Sequence, residues 1–186
     1  MFDNRAELDR SSAHGVALDC LQAGIRAAHP ESITRQAVSL SGTQLRVGPT
    51  PVDDGVETID LASYDEVLVL GGGKAAASVA VQLEEILGSS LSGGVVVTDR
   101  DPDRDQNGGL DRISVRYGSH PVPDEAGVEG AREVLQRVSA ADEKTLVIGV
   151  VTGGGSALLP APADGISLRA LRQTTDALLE AGATIH

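Results

Sequence analysis

Val67-Leu68-Val69-Leu70-Gly71-Gly72-Gly73-Lys74-Ala75-Ala76-Ala77 is the stretch whose reading decides the fold. An apolar run without polar alternation suits a strand buried on both faces, and it breaks at three glycines. Ala75, Ala76, Ala77, Val79, Ala80, Val81 and Leu83 then suit a helix lying close against that strand, running from Lys74 to about Leu87 and ending at Gly88. Strand, tight turn and helix N-terminus follow in order. Glycine lets the backbone take an unusual path and come close to a ligand. The first amides of a helix lack intrahelical acceptors and carry the positive end of its dipole, so Gly71, Gly72 and Gly73 are expected to hold a phosphate or carboxylate with Lys74 at the lip. The competing reading is a tight βα turn with no ligand.

Outward from this turn, Gly94-Val95-Val96-Val97-Thr98 supplies a second buried strand, and strand, helix, strand implies a right-handed parallel crossover. Arg112 to Tyr117 reads as a third strand and Ala126 to Ala140 as a helix. The loop between them, Gly118-Ser119-His120-Pro121-Val122-Pro123-Asp124-Glu125-Ala126-Gly127, is stiffened by two prolines and can hold His120 and Asp124 in fixed directions. Asp124 and Glu125 can equally be first-turn acids offsetting the dipole of the following helix. Thr145 to Val151 is the most apolar run and is expected to be the central strand. It ends at Thr152-Gly153-Gly154-Gly155-Ser156-Ala157-Leu158, a second triple-glycine turn in which Ser156 is expected to act as a cap and the glycine amides as another anion nest. Two such turns at strand ends in one parallel sheet converge on a single edge, where open α/β sheets bind ligands. The fold class is therefore α/β, a doubly wound, Rossmann-like parallel sheet with helices on both faces. Residues 1–186 form a single domain whose sheet core spans 64–186.

The flanks carry less chemistry. Residues Glu7 to His29 place apolar side chains at helical spacing until Pro30, which reads as an N-terminal helix packed on the body, with Cys20 in the core and His14 and His29 isolated. Gln44 to Val47 and Glu57 to Ile59 read as an edge hairpin or a loop, separated by Pro49, Pro51, Asp53, Asp54 and Gly55. The segment from Asp99 to Gly109 reads as a solvated acidic loop, since Arg100 and Arg104 interrupt its aspartates and the closing glutamate of a calcium loop is absent. A helix from Ser167 to Ala181 ends at Gly182.

Composition narrows the partners. The formal net charge is −12, from 27 acidic against 15 basic residues, and only Lys74 and Lys144 among the latter are lysines. Such a surface repels nucleic-acid phosphates and anionic membranes, so neither is expected as a partner. Arginine in place of lysine with excess carboxylates has the look of a halophile's protein, in which salt screens self-repulsion. A single cysteine gives no disulfide framework, and no signal peptide or membrane-spanning run is visible, so a cytoplasmic location is expected. In so lysine-poor a chain, Lys74 inside a glycine turn is conspicuous.

Several chemistries compete for the two turns. Gly71-x-Gly73-x-x-Ala76 fits a dinucleotide fingerprint with Asp99 as ribose acid, which keeps an NAD(P)-dependent reductase open. Against it, Lys74 crowds the turn and the second glycine turn has no role. A Walker loop is excluded by its spacing and by the residue after the lysine. Gly153-Gly154-Gly155-Ser156-Ala157 lacks the Gly-x-Ser-x-Gly elbow of a hydrolase. Phosphoryl transfer needs mainly positioning and positive charge around the transferred group, which two glycine nests and Lys74 can supply.

Together Val69-Leu70-Gly71-Gly72-Gly73-Lys74-Ala75-Ala76, Ser119-His120-Pro121-Val122-Pro123-Asp124-Glu125-Ala126-Gly127 and Gly153-Gly154-Gly155-Ser156-Ala157-Leu158-Leu159-Pro160-Ala161-Pro162 resemble the ATP-dependent glycerate 2-kinase family, the MOFRL-type glycerate kinases often labelled hydroxypyruvate reductase. The resemblance implies transfer from ATP, with Mg2+, to D-glycerate giving 2-phosphoglycerate, in a cleft between a large α/β domain and a second domain. It implies that Lys74 is the active-site lysine, and that the loops around His120 to Glu125 and Gly153 to Ser156 line the cleft. The candidate binding set is thus Gly71, Gly72, Gly73, His120, Asp124, Gly153, Gly154, Gly155 and Ser156. Thr152 stands where many members have serine. Members continue past Ala183-Thr184-Ile185-His186 into a basic segment and a second domain, so the resemblance covers the N-terminal part and implies that a C-terminal domain, or self-association, completes the site. The alternatives are an NAD(P)-dependent hydroxypyruvate reductase and a non-catalytic ligand-binding module that needs a partner domain.

Overall fold

A computed structural model describes residues 2–48, 55–99 and 110–184. The proline-rich separator of the hairpin, most of the acidic loop and the last two residues lie outside them.

The N-terminal region holds α1 (Arg5–Leu8), α2 (Ser12–Ala27) and α3 (Pro30–Ala37). The expected single helix is therefore two. Ser11 leaves helical backbone geometry and its hydroxyl caps α2 by accepting from the His14 N–H, while Arg5 reaches across to Asp19 at 2.7 Å. Pro30 does not end the helical region but opens α3, because a proline at the first helical position has no N–H to lose. Cys20 is exposed, contrary to the expected core position, and of α2 only Leu18 is buried. Helical spacing of apolar residues fixed one face but not what would cover it.

Next come β1 (Val38–Ser41), β2 (Gln44–Val47) and β3 (Glu57–Asp60), an antiparallel sheet in that order, so the hairpin reading holds and gains a strand. Leu45, Leu61, Val38 and Ile59 pack into the main core cluster together with Ala80, Leu83 and Leu87.

The second sheet is parallel. It consists of β4 (Glu66–Gly72), β5 (Gly93–Asp99), β6 (Ile113–Gly118) and β7 (Thr145–Val151), ordered β6-β5-β4-β7. Helix α4 (Ala76–Leu87) joins β4 to β5, and α5 (Glu125–Ala140) joins β6 to β7. Alternation along β4 sends Val67 and Val69 to one face, against Ala76, Ala80, Leu83 and Leu87 of α4. Leu68 and Leu70 point to the other, with Val95 and Val134 of α5. Both faces are covered, which is why the strands carry no polar alternation. Glu84 of α4 anchors the entry to β6 by accepting the backbone N–H groups of Asp111, Arg112 and Ile113 at 2.7–3.1 Å.

One strand is misplaced by the sequence reading. Among the described residues β7 is an edge strand, paired with β4 alone, and Val151 is 82% exposed. An apolar run reports how well a strand's faces are covered and carries no information on whether both of its ladder sides are paired.

Beyond β7 lie α6 (Gly155–Leu158), a single turn, and α7 (Leu168–Glu180), capped by the Ser167 hydroxyl and followed by Gly182 in left-handed geometry. No helix among the described residues is long and apolar enough to cross a membrane.

Candidate active site

Chain order and sheet order part company between β4 and β7. From β4 the chain moves out through β5 to β6 and then returns to the opposite side of β4, so the strand order switches between β4 and β7. The carboxyl ends flanking such a switch form the crevice in which open α/β sheets take ligands. Gly71 is in register with Val150 and Gly72 with Val151, which sets both glycine turns at that crevice.

The two turns interlock. Lys74 N–H donates to the Gly153 carbonyl at 2.9 Å, Thr152 N–H to the Gly72 carbonyl at 3.1 Å, and Ala75 N–H to the Thr152 hydroxyl at 3.2 Å. Gly73 N–H donates to Val97 O at 2.9 Å and Ala76 N–H to Gly73 O at 3.1 Å. Buried Thr98 donates its hydroxyl to the Lys74 carbonyl at 3.2 Å. This corrects the expected nest at the first turn, because the amides from Gly73 to Ala76 already have protein acceptors. Gly71 and Gly72 are strand residues, and Gly73, at φ 131°, has no room for a Cβ against Thr152. Gly73 serves close packing of one turn on the other, whereas a Cβ on Gly71 would meet Val150 of β7 and one on Gly72 would meet Leu159 and Val97.

The second turn is different. Gly155 N–H bonds to Thr152 O, but the amides of Gly153, Gly154 and Ser156 have no acceptor among the described residues. Gly153 and Ser156 are exposed. Ser156 is not the cap expected of it: Gly154, at φ 89°, occupies the cap position of α6, and Ser156 lies inside that turn.

Lys74 is exposed and forms no ion pair with any described residue. A methyl group placed on Gly154 would sit 3.1 Å from Cγ of Lys74 and 3.1 Å from Cδ2 of His120. The lysine stem and the imidazole therefore flank the bare face of Gly154, so the structure brings together residues from all three motifs. Asp124 plays another part. It is the N-cap of α5, its Oδ1 accepting from Gly127 N–H at 2.8 Å and its Oδ2 from the Ser119 hydroxyl at 2.9 Å. Burial raises its pKa, but the Gly127 amide, the Ser119 hydroxyl and amide and the charge of Arg172 on α7 outweigh that and hold it below 3.8. Both carboxylate oxygens are engaged, which makes Asp124 the structural brace of the loop carrying His120.

An apolar groove of about 420 Å³ lies beside β7, lined by Ile33, Val38, Val47, Ile59 and Ile148 and touching the site only at Thr152. It offers no charged side chain to an anion. Thr98 and Thr152 are the site residues whose roles the sequence reading missed. The available signal was a hydroxyl at the end of each of two apolar strands.

Comparison with known proteins identifies the family. Residues 16–186 match the family model described as Domain of unknown function (DUF4147). The chain is 35% identical over 178 residues to a protein of Pyrococcus horikoshii named glycerate 2-kinase, covering 92% of this chain and 37% of that one. A relative in Agrobacterium vitis, 40% identical over 118 residues, covers 63% of this chain and 30% of its own and carries a hydroxypyruvate reductase name. The crystal structure of glycerate kinase from Thermotoga maritima superposes with a TM-score of 0.68 at 29% identity, over 92% of this chain and 36% of the other. The chain thus spans about a third of the length of these relatives.

Proposed function

The chain belongs to the DUF4147 family, and from that premise we propose that it supplies the lysine-bearing side of a glycerate 2-kinase site, transferring the γ-phosphoryl group of ATP to the 2-hydroxyl of D-glycerate. The observation that carries this reading is the convergence of Lys74 and His120 on Gly154, at the crevice between β4 and β7. Phosphoryl transfer spreads negative charge over the equatorial oxygens, and a fixed cation stabilises it without covalent work. Lys74 pairs with no carboxylate among the described residues, and its backbone is held through its N–H by Gly153 and through its carbonyl by Thr98. The amides of Gly153, Gly154 and Ser156 are the donors available to a phosphate or to the glycerate carboxylate.

The described residues do not build a metal centre. Among the described residues no group of three or more His, Cys, Asp or Glu side chains could hold an ion. Mg2+ would enter on the phosphates of ATP, as that ion commonly does. A second domain, which the longer relatives have length for, or a second copy of the chain, would supply the remaining charge.

The reductase reading rests on the name carried by the Agrobacterium vitis relative. Binding a dinucleotide pyrophosphate at Gly71–Gly73 needs turn amides that Val97, Gly153, Thr152 and Gly73 already engage. Kinase, reductase and binding module separate in one experiment. Purified protein is given ATP, Mg2+ and D-glycerate with ADP release followed, and separately NADH and hydroxypyruvate with absorbance followed. ADP formation with a 2-phosphoglycerate signal in the phosphorus spectrum is expected. NADH oxidation without ADP release would replace the kinase reading with the reductase. Silence in both assays with nucleotide binding retained would leave a binding module.

A further inference from the structure

Thr152 touches both glycine turns at once. Its hydroxyl accepts from Ala75 N–H at 3.2 Å, its N–H donates to Gly72 O at 3.1 Å, and its carbonyl accepts from Gly155 N–H at 3.2 Å. The two backbone bonds survive any change of side chain, but the first does not. It alone ties the N-cap residue of α4 to the second turn by a side chain, and Ala75 immediately follows Lys74. A Cβ on Gly73 would collide with Thr152 Oγ1 and with the Thr152 carbonyl. We propose that the Thr152 hydroxyl is a positioning group that latches the Lys74 turn onto the Gly153–Gly155 turn and so fixes where the ammonium meets the transferred phosphate.

The inference rests on the kinase reading, but its physical part can be measured without it. Valine has the shape of threonine without the oxygen, so Thr152→Val leaves the Ala75 amide with no acceptor while the packing volume stays. Thr152→Ser keeps the oxygen and loses a methyl group. Both are compared with wild type by amide exchange at Ala75, and by ADP release with ATP and D-glycerate.

Exchange at Ala75 is expected to rise at least about tenfold in Thr152→Val and to stay near the wild-type rate in Thr152→Ser. Turnover follows the same order. A displaced Lys74 lowers kcat by about 100-fold while KM for glycerate stays within about threefold, because the ammonium acts mainly in the transition state. The serine variant restores kcat. Wild-type exchange and kcat in Thr152→Val would overturn the proposal, as would a serine variant as impaired as the valine one. If the wild-type protein releases no ADP, the kinase reading and the catalytic consequence fall together. Ala75 exchange then decides whether the latch exists.

Discussion

Lys74 is tied to Gly153 by a backbone hydrogen bond of 2.9 Å between residues that lie on two separate glycine turns. Together with the Thr152 hydroxyl on Ala75 N–H, the bond sets the cation of one turn beside the unengaged amides of the other. It also means that neither turn can move without the other, so the placement of the ammonium belongs to the pair.

Replacing Lys74 by methionine keeps an unbranched stem and removes the charge. Phosphoryl transfer should fall by at least about 100-fold, the loss typical for one transition-state donor. The melting temperature should stay where it is, because the side chain is exposed and unpaired among the described residues. A variant that turns over at the wild-type rate would remove Lys74 from the chemistry.

Two glycines of the site should respond in opposite ways. Gly73→Ala places a Cβ against Thr152 at a positive φ, and should cost about 2 kcal/mol or more in urea unfolding. Gly153→Ala meets nothing within 4 Å and should stay within about 0.5 kcal/mol of wild type. Equal stabilities would show that the two turns are not packed as described.

Glu84 gathers three backbone amides at the entry to β6. Glu84→Ala strips the acceptor from all of them and should lower stability by roughly 1–3 kcal/mol in chemical denaturation. An unchanged midpoint would mean that water replaces the carboxylate at no cost.

Asp124 predicts an acid limb. Its folded pKa is depressed below 3.8, so the stability it contributes is complete well above pH 4. That contribution fades as pH falls through 3.8 toward the lower folded value, because the unfolded chain takes up the proton first. Asp124→Asn, which can still cap α5 through its side-chain oxygen, should flatten the Asp124 part of the loss in melting temperature below pH 4. An identical acid limb in both proteins would contradict the brace.

The strand of Val67–Leu70, the three glycines and the alanine-rich helix were legible because each rests on neighbours in sequence: burial on two faces, permissive backbone, and helical spacing. The shared edge of the two turns was legible too, since parallel strands bring their carboxyl ends to one side. The first-turn anion nest was not, because only the fold supplies acceptors to the amides of a turn. Asp124 was legible only as one of two alternatives, and the hydrogen bonds to Gly127 and Ser119 select the structural one.

By itself the chain of residues determined the four strands of the parallel sheet, the two helices that join them and which lysine stands at a glycine turn, all of which follow from local periodicity and backbone freedom. Only the tertiary structure decided that β7 lies at the sheet edge, that Lys74 and His120 share the bare face of Gly154, and that Ala75 finds its acceptor on Thr152, 77 positions away. Those outcomes depend on which strands pair and on which polar groups remain unsatisfied after they do, and a residue carries no local mark of a partner it meets only when the sheet has formed.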